Sequence, residues 1–289
     1  MRKYTEKKAK RRPFRQEEKS PLNIPASFVR GWTYYLRYMS AFENLERFCF
    51  FLGYPRSGHT LLGSLLNAHP EMLIAHEVNM LRYVRHGFPR QPLLGLLLRR
   101  DQQFGAEGRE WSGYDYNVPG QYQGKTTRLR VIGDKRGRGS TKQLSNNPSL
   151  LVELRSRMQL PLAVIHHVRN PFDNIATMAR RGNDSLETAA GRYFRFASII
   201  REALISSGEE RLSTHHDDLI TDPKAELHRV IRFLGLSQPS EDYLEACRSI
   251  VFSTPSRSRG RVAWPRELIT SIEERIQQFP DLQRYRFAD

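Results

Sequence analysis

The chain has 289 residues, with 46 Lys plus Arg against 31 Asp plus Glu and a formal net charge of +15. That length suffices for one large domain with a substantial core and demands no second one. Two cysteines exclude a disulfide-stapled scaffold, and no apolar stretch approaches the roughly 20 residues of a membrane helix. A charge of this size speaks about partners rather than fold. No ribonucleoprotein aromatics, zinc spacing or basic zipper accompany it, so a specific nucleic acid is not expected. A polyanionic nucleotide, an acidic acceptor, a membrane surface or simply a solvated basic face each account for part of it. The basic, polar N-terminus lacks the apolar core of a signal peptide, so the chain reads as soluble and cytoplasmic.

Residues 1–27 read as a flexible basic tail, carrying Lys7, Lys8, Lys10, Arg11, Arg12 and Arg15 among few apolar residues. From 28 to 289 a single domain is expected. Aromatic and aliphatic residues from Phe28 to Phe48 suggest a helical lead-in. The run that follows, Phe48-Cys-Phe-Phe-Leu-Gly53, is too short for a helix and too continuous for a half-exposed strand, which predicts a buried strand. It feeds a Gly-bounded turn and a helix over Leu61–Asn67. Gly53 and Gly58 stand at the glycine spacing of a phosphate-binding loop and Thr60 at its hydroxyl position, but His59 fills the lysine position and the loop cation is Arg56. Such a loop still offers backbone N–H groups at a helix N-terminus to a phosphate.

Tyr-Pro-Arg-Ser-Gly-His-Thr-Leu-Leu, from Tyr54 to Leu62, resembles the 5′-phosphosulfate loop of the sulfotransferases; Asn67-Ala-His-Pro-Glu71 followed by Glu77 is similar to the Golgi-type branch, the tyrosylprotein sulfotransferases in particular, and Gly133-Asp134-Lys135 to bacterial members. The resemblance implies an α/β fold, a central parallel β-sheet flanked by helices as in P-loop NTPases. It also implies a donor, 3′-phosphoadenosine 5′-phosphosulfate, and an acceptor hydroxyl or amine on a small molecule, sugar or peptide, with no metal required. Arg56, Ser57, Gly58, His59 and Thr60 would hold the 5′-phosphate. Met72–Ala75 reads as the second strand, and ligands of open parallel sheets bind beyond the carboxyl ends of the strands. Glu77 there would be the general base, with His76 as the rival.

The stretch from Gly87 to Arg128 is rich in Gly and Pro, with one short helix near Leu93–Gln103, and reads as acceptor-binding loops walled by Trp111, Tyr114, Tyr116 and Tyr122. Leu129–Gly133 is the next strand. By the resemblance Lys135, after it, would neutralise the transferring group, with Arg136 as the other cation in position. Asp134 is the foothold of an alternative, a P-loop kinase or nucleotidase using Mg-ATP. Pro161–Val168 is another buried strand, and Arg169-Asn170-Pro171 opens a capped helix. Arg169 and Thr177 match the family's 3′-phosphate element, and His216 falls where it has an adenine-contacting Tyr. Asp222 and Pro223 open an amphipathic helix closed by Gly235. Ser253–Trp264 resembles the late basic loop over the 3′-phosphate, with Arg257, Arg259, Gly260 and Arg261 as candidates. A non-catalytic polyanion-binding module is the third reading.

Overall fold

The computed structural model describes residues 23–254 and 256–289. Five parallel strands form the central sheet: β1 (Arg47–Gly53), β2 (Met72–His76), β5 (Val131–Lys135), β6 (Leu162–Val168) and β7 (Glu210–His215), in the order β2-β5-β1-β6-β7. A separate two-stranded hairpin is made by β3 (Glu110–Trp111) and β4 (Tyr114–Asp115). Side chains of β1 alternate between two cores, Phe48, Phe50 and Leu52 on one face and Cys49 and Phe51 on the other. Both faces are covered, which is why β1 carries no polar alternation. Cys49 and Cys247 are buried free thiols.

The chain leaves β1 for β2 on one side of the sheet and later reaches β6 on the other, β1 pairing with both β5 and β6. A strand order that reverses at β1 opens a crevice beyond its carboxyl end. The helices are α1 (Asn23–Arg37), α2 (His59–Asn67), α3 (Met80–Arg85), α4 (Arg90–Ala106), α5 (Gly137–Leu144), α6 (Leu150–Met158), α7 (Pro171–Gly182), α8 (Leu186–Ser207), α9 (His216–Thr221), α10 (Pro223–Phe233), α11 (Glu241–Ser249) and α12 (Arg266–Ile276). The caps read from sequence are present: Asn170 accepts from Phe172 N at 3.0 Å, and Asp222 from Ala225 N at 3.0 Å.

Two expectations are corrected, and two helices appear where none was expected. α1 begins at Asn23, inside the segment expected as a tail, while residues 1–22 lie outside the described ones. The stretch after Gly87 holds a helix of 17 residues rather than a short one: Pro92 is its third residue, where no intrahelical N–H is needed. Gly95 is a contact residue, since a Cβ there would stand 2.8 Å from Tyr35 N of α1. Gly31 mirrors it, a Cβ standing 2.9 Å from Pro92 Cα, so α1 and α4 cross backbone to backbone. Helices α5 and α6 stand where no element was expected: Gly137 and Gly139 lower the helical propensity of the first, while the second buries Leu150, Leu151, Leu154 and Met158 at a helical spacing that was not read. Among the described residues no helix is long and apolar enough to cross a membrane.

Gly95→Val should therefore overpack the α1–α4 crossing and lower the unfolding free energy by about 2 kcal/mol or more, read as a lower urea midpoint; an unchanged midpoint would contradict the crossing.

Candidate active site

Beyond β1 the chain turns through Tyr54–Gly58 into α2. Arg56 and Gly58 adopt φ of 68° and 92°, a left-handed geometry that turns successive N–H groups towards one point at the start of the helix. Three neighbours hold the loop. Asn174 Nδ2 on α7 donates to Ser57 Oγ at 2.8 Å, Arg169 donates to the Arg56 carbonyl at 3.4 Å, and Thr141 Oγ1 on α5 donates to the Gly53 carbonyl at 3.1 Å. The buried Ser57 hydroxyl is thus fixed from the α7 side.

Lys135 at the end of β5 reaches the same place. Its ammonium donates to Thr60 Oγ1 at 3.0 Å and to Glu77 Oε1 at 2.9 Å. Gly63 leaves room for its stem, since a Cβ there would stand 2.6 Å from Lys135 Cγ. The Lys135 side chain is 3% exposed and that of Glu77 30%. Glu77 takes the left-handed φ of 62°, its N–H donating to the Lys135 carbonyl at 3.2 Å and its carbonyl accepting from Arg136 at 3.2 Å. Burial alone would raise the Glu77 carboxyl, but Lys135 and Arg136 outweigh it and hold it at about 2. Burial pulls the Lys135 ammonium down, and Glu77 opposes that fall.

Other predicted residues are placed differently. The His76 ring is stacked on Phe104 at 4.1 Å and meets Trp111 edge-on at 4.5 Å, so it is a buried packing residue and Glu77 is the carboxylate at the Lys135 ammonium. The His59 imidazole turns inward, its Nε2 3.4 Å from the Leu52 carbonyl and its ring 5.6 Å from that of His167. A side-chain bond from His59 to a phosphate is therefore withdrawn, leaving its backbone N–H. Burial, then Lys135, holds the ring neutral with its pKa at about 3. His216 backs the loop from the far side: its ring is edge-on to His167 at 5.7 Å, and a Cβ on Gly58 would collide with it. Its pKa is about 3, through burial and then Arg169.

Asp134 is buried with both oxygens engaged, Oδ1 accepting from Val78 N at 2.9 Å and Oδ2 from Met80 N at 3.0 Å. It clasps the turn before α3, and burial raises its carboxyl to about 6. Both oxygens on which the magnesium reading rests are thus taken up by backbone N–H groups.

Arg169 lies beside the Ser256–Arg261 segment, donating to the Ser256 carbonyl and, at 3.5 Å, to Ser258 Oγ. Arg259 is not the free cation expected: its N–H and guanidinium bond Asp173 at 2.9 and 2.6 Å, and the guanidinium also donates to the Asp289 carbonyl. Arg257, Gly260 and Arg261 are exposed. The Thr177 hydroxyl donates to the Asp173 carbonyl at 2.8 Å. Sequence reasoning missed Asn174, Asp173 and Thr141. The first two were legible in one respect, forming with Thr177 a polar stripe at helical spacing on the otherwise apolar, buried first nine residues of α7. Of the expected acceptor walls, Trp111 packs on His76, and Tyr114 meets Tyr116 at 6.3 Å and Phe252 at 6.1 Å. Tyr122 is 40% exposed.

No family model matches the sequence, and no curated protein does either. Solved structures do. The sulfotransferase domain from the curacin biosynthetic pathway has a TM-score of 0.50 at 15% identity, over 82% of this chain and 98% of its own. The chain has the sulfotransferase fold. The sulfotransferase domain from the Synechococcus PCC 7002 olefin synthase gives 0.47 at 19% identity, over 78% of this chain and 83% of its own. A mouse sulfotransferase complexed with PAP gives 0.45 at 14% identity, over 86% and 90%.

Because the folded Glu77 carboxyl lies at about 2 against an ordinary 4.5, its stabilising effect is complete above about pH 5 and fades as pH falls towards 2. Urea unfolding of wild type and Glu77→Gln should show a stability gap that shrinks between about pH 5.5 and 3; a gap constant across that window would contradict the ion pair.

Proposed function

We propose that the protein is a sulfotransferase moving a sulfuryl group from 3′-phosphoadenosine 5′-phosphosulfate to an acceptor hydroxyl or amine. The observation that carries this reading is the ammonium of Lys135 held between the loop hydroxyl of Thr60 and the Glu77 carboxylate. A loop that lacks its own lysine is thus supplied with one from the neighbouring strand, beside a carboxylate that can take a proton.

In this mechanism the residues 57–60 turn offers N–H groups, with Arg56, to the 5′-phosphate, which leaves as the bond from its oxygen to sulfur breaks. Lys135 faces the charge that develops on the sulfuryl and bridging oxygens. Glu77 accepts the acceptor's proton as the new oxygen-to-sulfur bond forms, or nitrogen-to-sulfur for an amine. The depressed carboxyl of Glu77 suits this sequence of events. Lys135 holds it down while the two are paired, and burial is the largest influence opposing that. When the ammonium turns to the sulfuryl oxygens, that restraint is relieved and the carboxyl becomes a stronger base. In this reading Arg169 and the exposed Arg257 and Arg261 would bind the 3′-phosphate, with Thr177 beside them on α7 and Arg259 holding the segment on α7 through Asp173. His216 contributes by backing Gly58 rather than by stacking on adenine. Fixed cations and N–H groups supply the electrostatics without a metal. The buried free thiols fit a reducing, cytoplasmic setting.

The test is thermal unfolding with adenosine 3′,5′-bisphosphate or with ATP and Mg²⁺. The bisphosphate should raise the Tm of the wild type, by about 2.7 kcal/mol of added stability at a hundredfold excess over Kd, and should do so less for a folded Arg56→Ala. Stabilisation by ATP with Mg²⁺ alone would overturn the donor assignment.

A further inference from the structure

Helix α1 carries a feature that the proposed chemistry does not use. Its Gly31 side lies against α4, where a Cβ would stand 2.9 Å from Pro92 Cα. The opposite side is apolar and open: Val29 is 63% exposed, Leu36 61%, and Met39, just past the helix, 56%, with Phe28 at 38%. At 100° per residue, Val29 and Leu36 fall within about 20° of one another, with half-buried Trp32 and exposed Thr33 between them along the axis; the Thr33 hydroxyl donates back to the Val29 carbonyl at 3.0 Å, so the strip is interrupted by one satisfied hydroxyl.

Cations border it from separate elements. Arg37 ends α1 and is exposed. Phe28 meets Phe88 at 5.1 Å, and the turn before Phe88 brings exposed Arg85 at the end of α3 and exposed Arg157, which donates to the Gly87 carbonyl at 3.2 Å. In sequence, no Asp or Glu stands between Glu18 and Glu43, and residues 1–22 carry nine Lys and Arg against three Glu.

We propose that this strip docks the protein on an anionic lipid surface, the apolar side chains entering the headgroup boundary and the basic border facing acidic headgroups. An apolar strip with basic flanks beside a polybasic segment is the composition that favours a membrane interface over a membrane span. A second copy of the chain fits less well. A two-fold pairing would set Val29 and Leu36 against their own copies but bring the same arginines face to face, with no acidic residue in that stretch to offset them. The docking is independent of the sulfotransferase reading.

The test is sedimentation of the full chain with phosphatidylcholine vesicles, with and without about a quarter phosphatidylserine. Binding should require the acidic lipid and weaken with salt. The double variant Val29→Glu/Leu36→Glu should partition at least about tenfold more weakly while keeping the wild-type Tm, since both side chains are exposed. If the variant loses stability, Arg37→Glu/Arg85→Glu, which leaves the strip intact, should show the same weakened partition. Wild type that ignores phosphatidylserine vesicles, or variants that bind them equally, would overturn the proposal. So would a wild-type dimer in gel filtration that the Val29/Leu36 variant dissolves, since the strip would then be a self-interface.

Discussion

The Lys135 ammonium, almost wholly shielded from solvent, is the constraint on which the rest of the crevice depends. A charge so placed must be met by oxygens, and it is met by one from the loop helix and one from the turn after β2. The segments that follow β1 and β2 are thereby tied together across β5, the strand that lies between those two. The pairing of β2 with β5, in which His76 stands opposite Lys135, sets the spacing that lets Glu77 reach the ammonium. The left-handed Glu77 backbone follows, held by its bonds to the Lys135 carbonyl and Arg136.

The loop itself is shaped from outside. Asn174, Arg169 and Thr141 each hold a different point of it, and the neutral rings of His59, His167 and His216 fill the space behind. His167 Nδ1 lies 2.7 Å from Thr214 Oγ1, linking that filling to β7. Burial keeps these rings uncharged, so the cations of the crevice are the lysine and arginines whose geometry is fixed by bonds. A loop with a histidine where phosphate loops usually carry a lysine is coherent in these terms: the imidazole becomes packing and the cation comes from β5.

The sequence was most informative where one local requirement dominates. The unbroken apolar run of β1, the caps Asn170 and Asp222, and the loop glycines announced themselves because burial, orphan N–H groups and positive φ each admit few residue types. Glu77 and Lys135 were singled out by the family resemblance, at positions following predicted strands, and the structure pairs them. What could not be read was set by contacts across the fold. Pro92 and Gly105 counted among the breakers of this stretch, and only their places in the first and last turns of α4 reconcile them with a helix of 17 residues. Arg259 looked like a phosphate ligand because nothing local discloses that Asp173, 86 positions away, takes its guanidinium. His59 and His76 likewise looked available to a ligand, and their rings are committed to the interior.

The central claim is a site for a nucleotide carrying separate 5′ and 3′ charges, the first at the loop and the second beside Arg169. Calorimetric titration of the wild type with adenosine 3′,5′-bisphosphate and with adenosine 5′-monophosphate tests it most directly. The account predicts tighter binding of the bisphosphate by at least about tenfold, the increment of a charge-assisted phosphate contact. Equal affinities for the two nucleotides would contradict it.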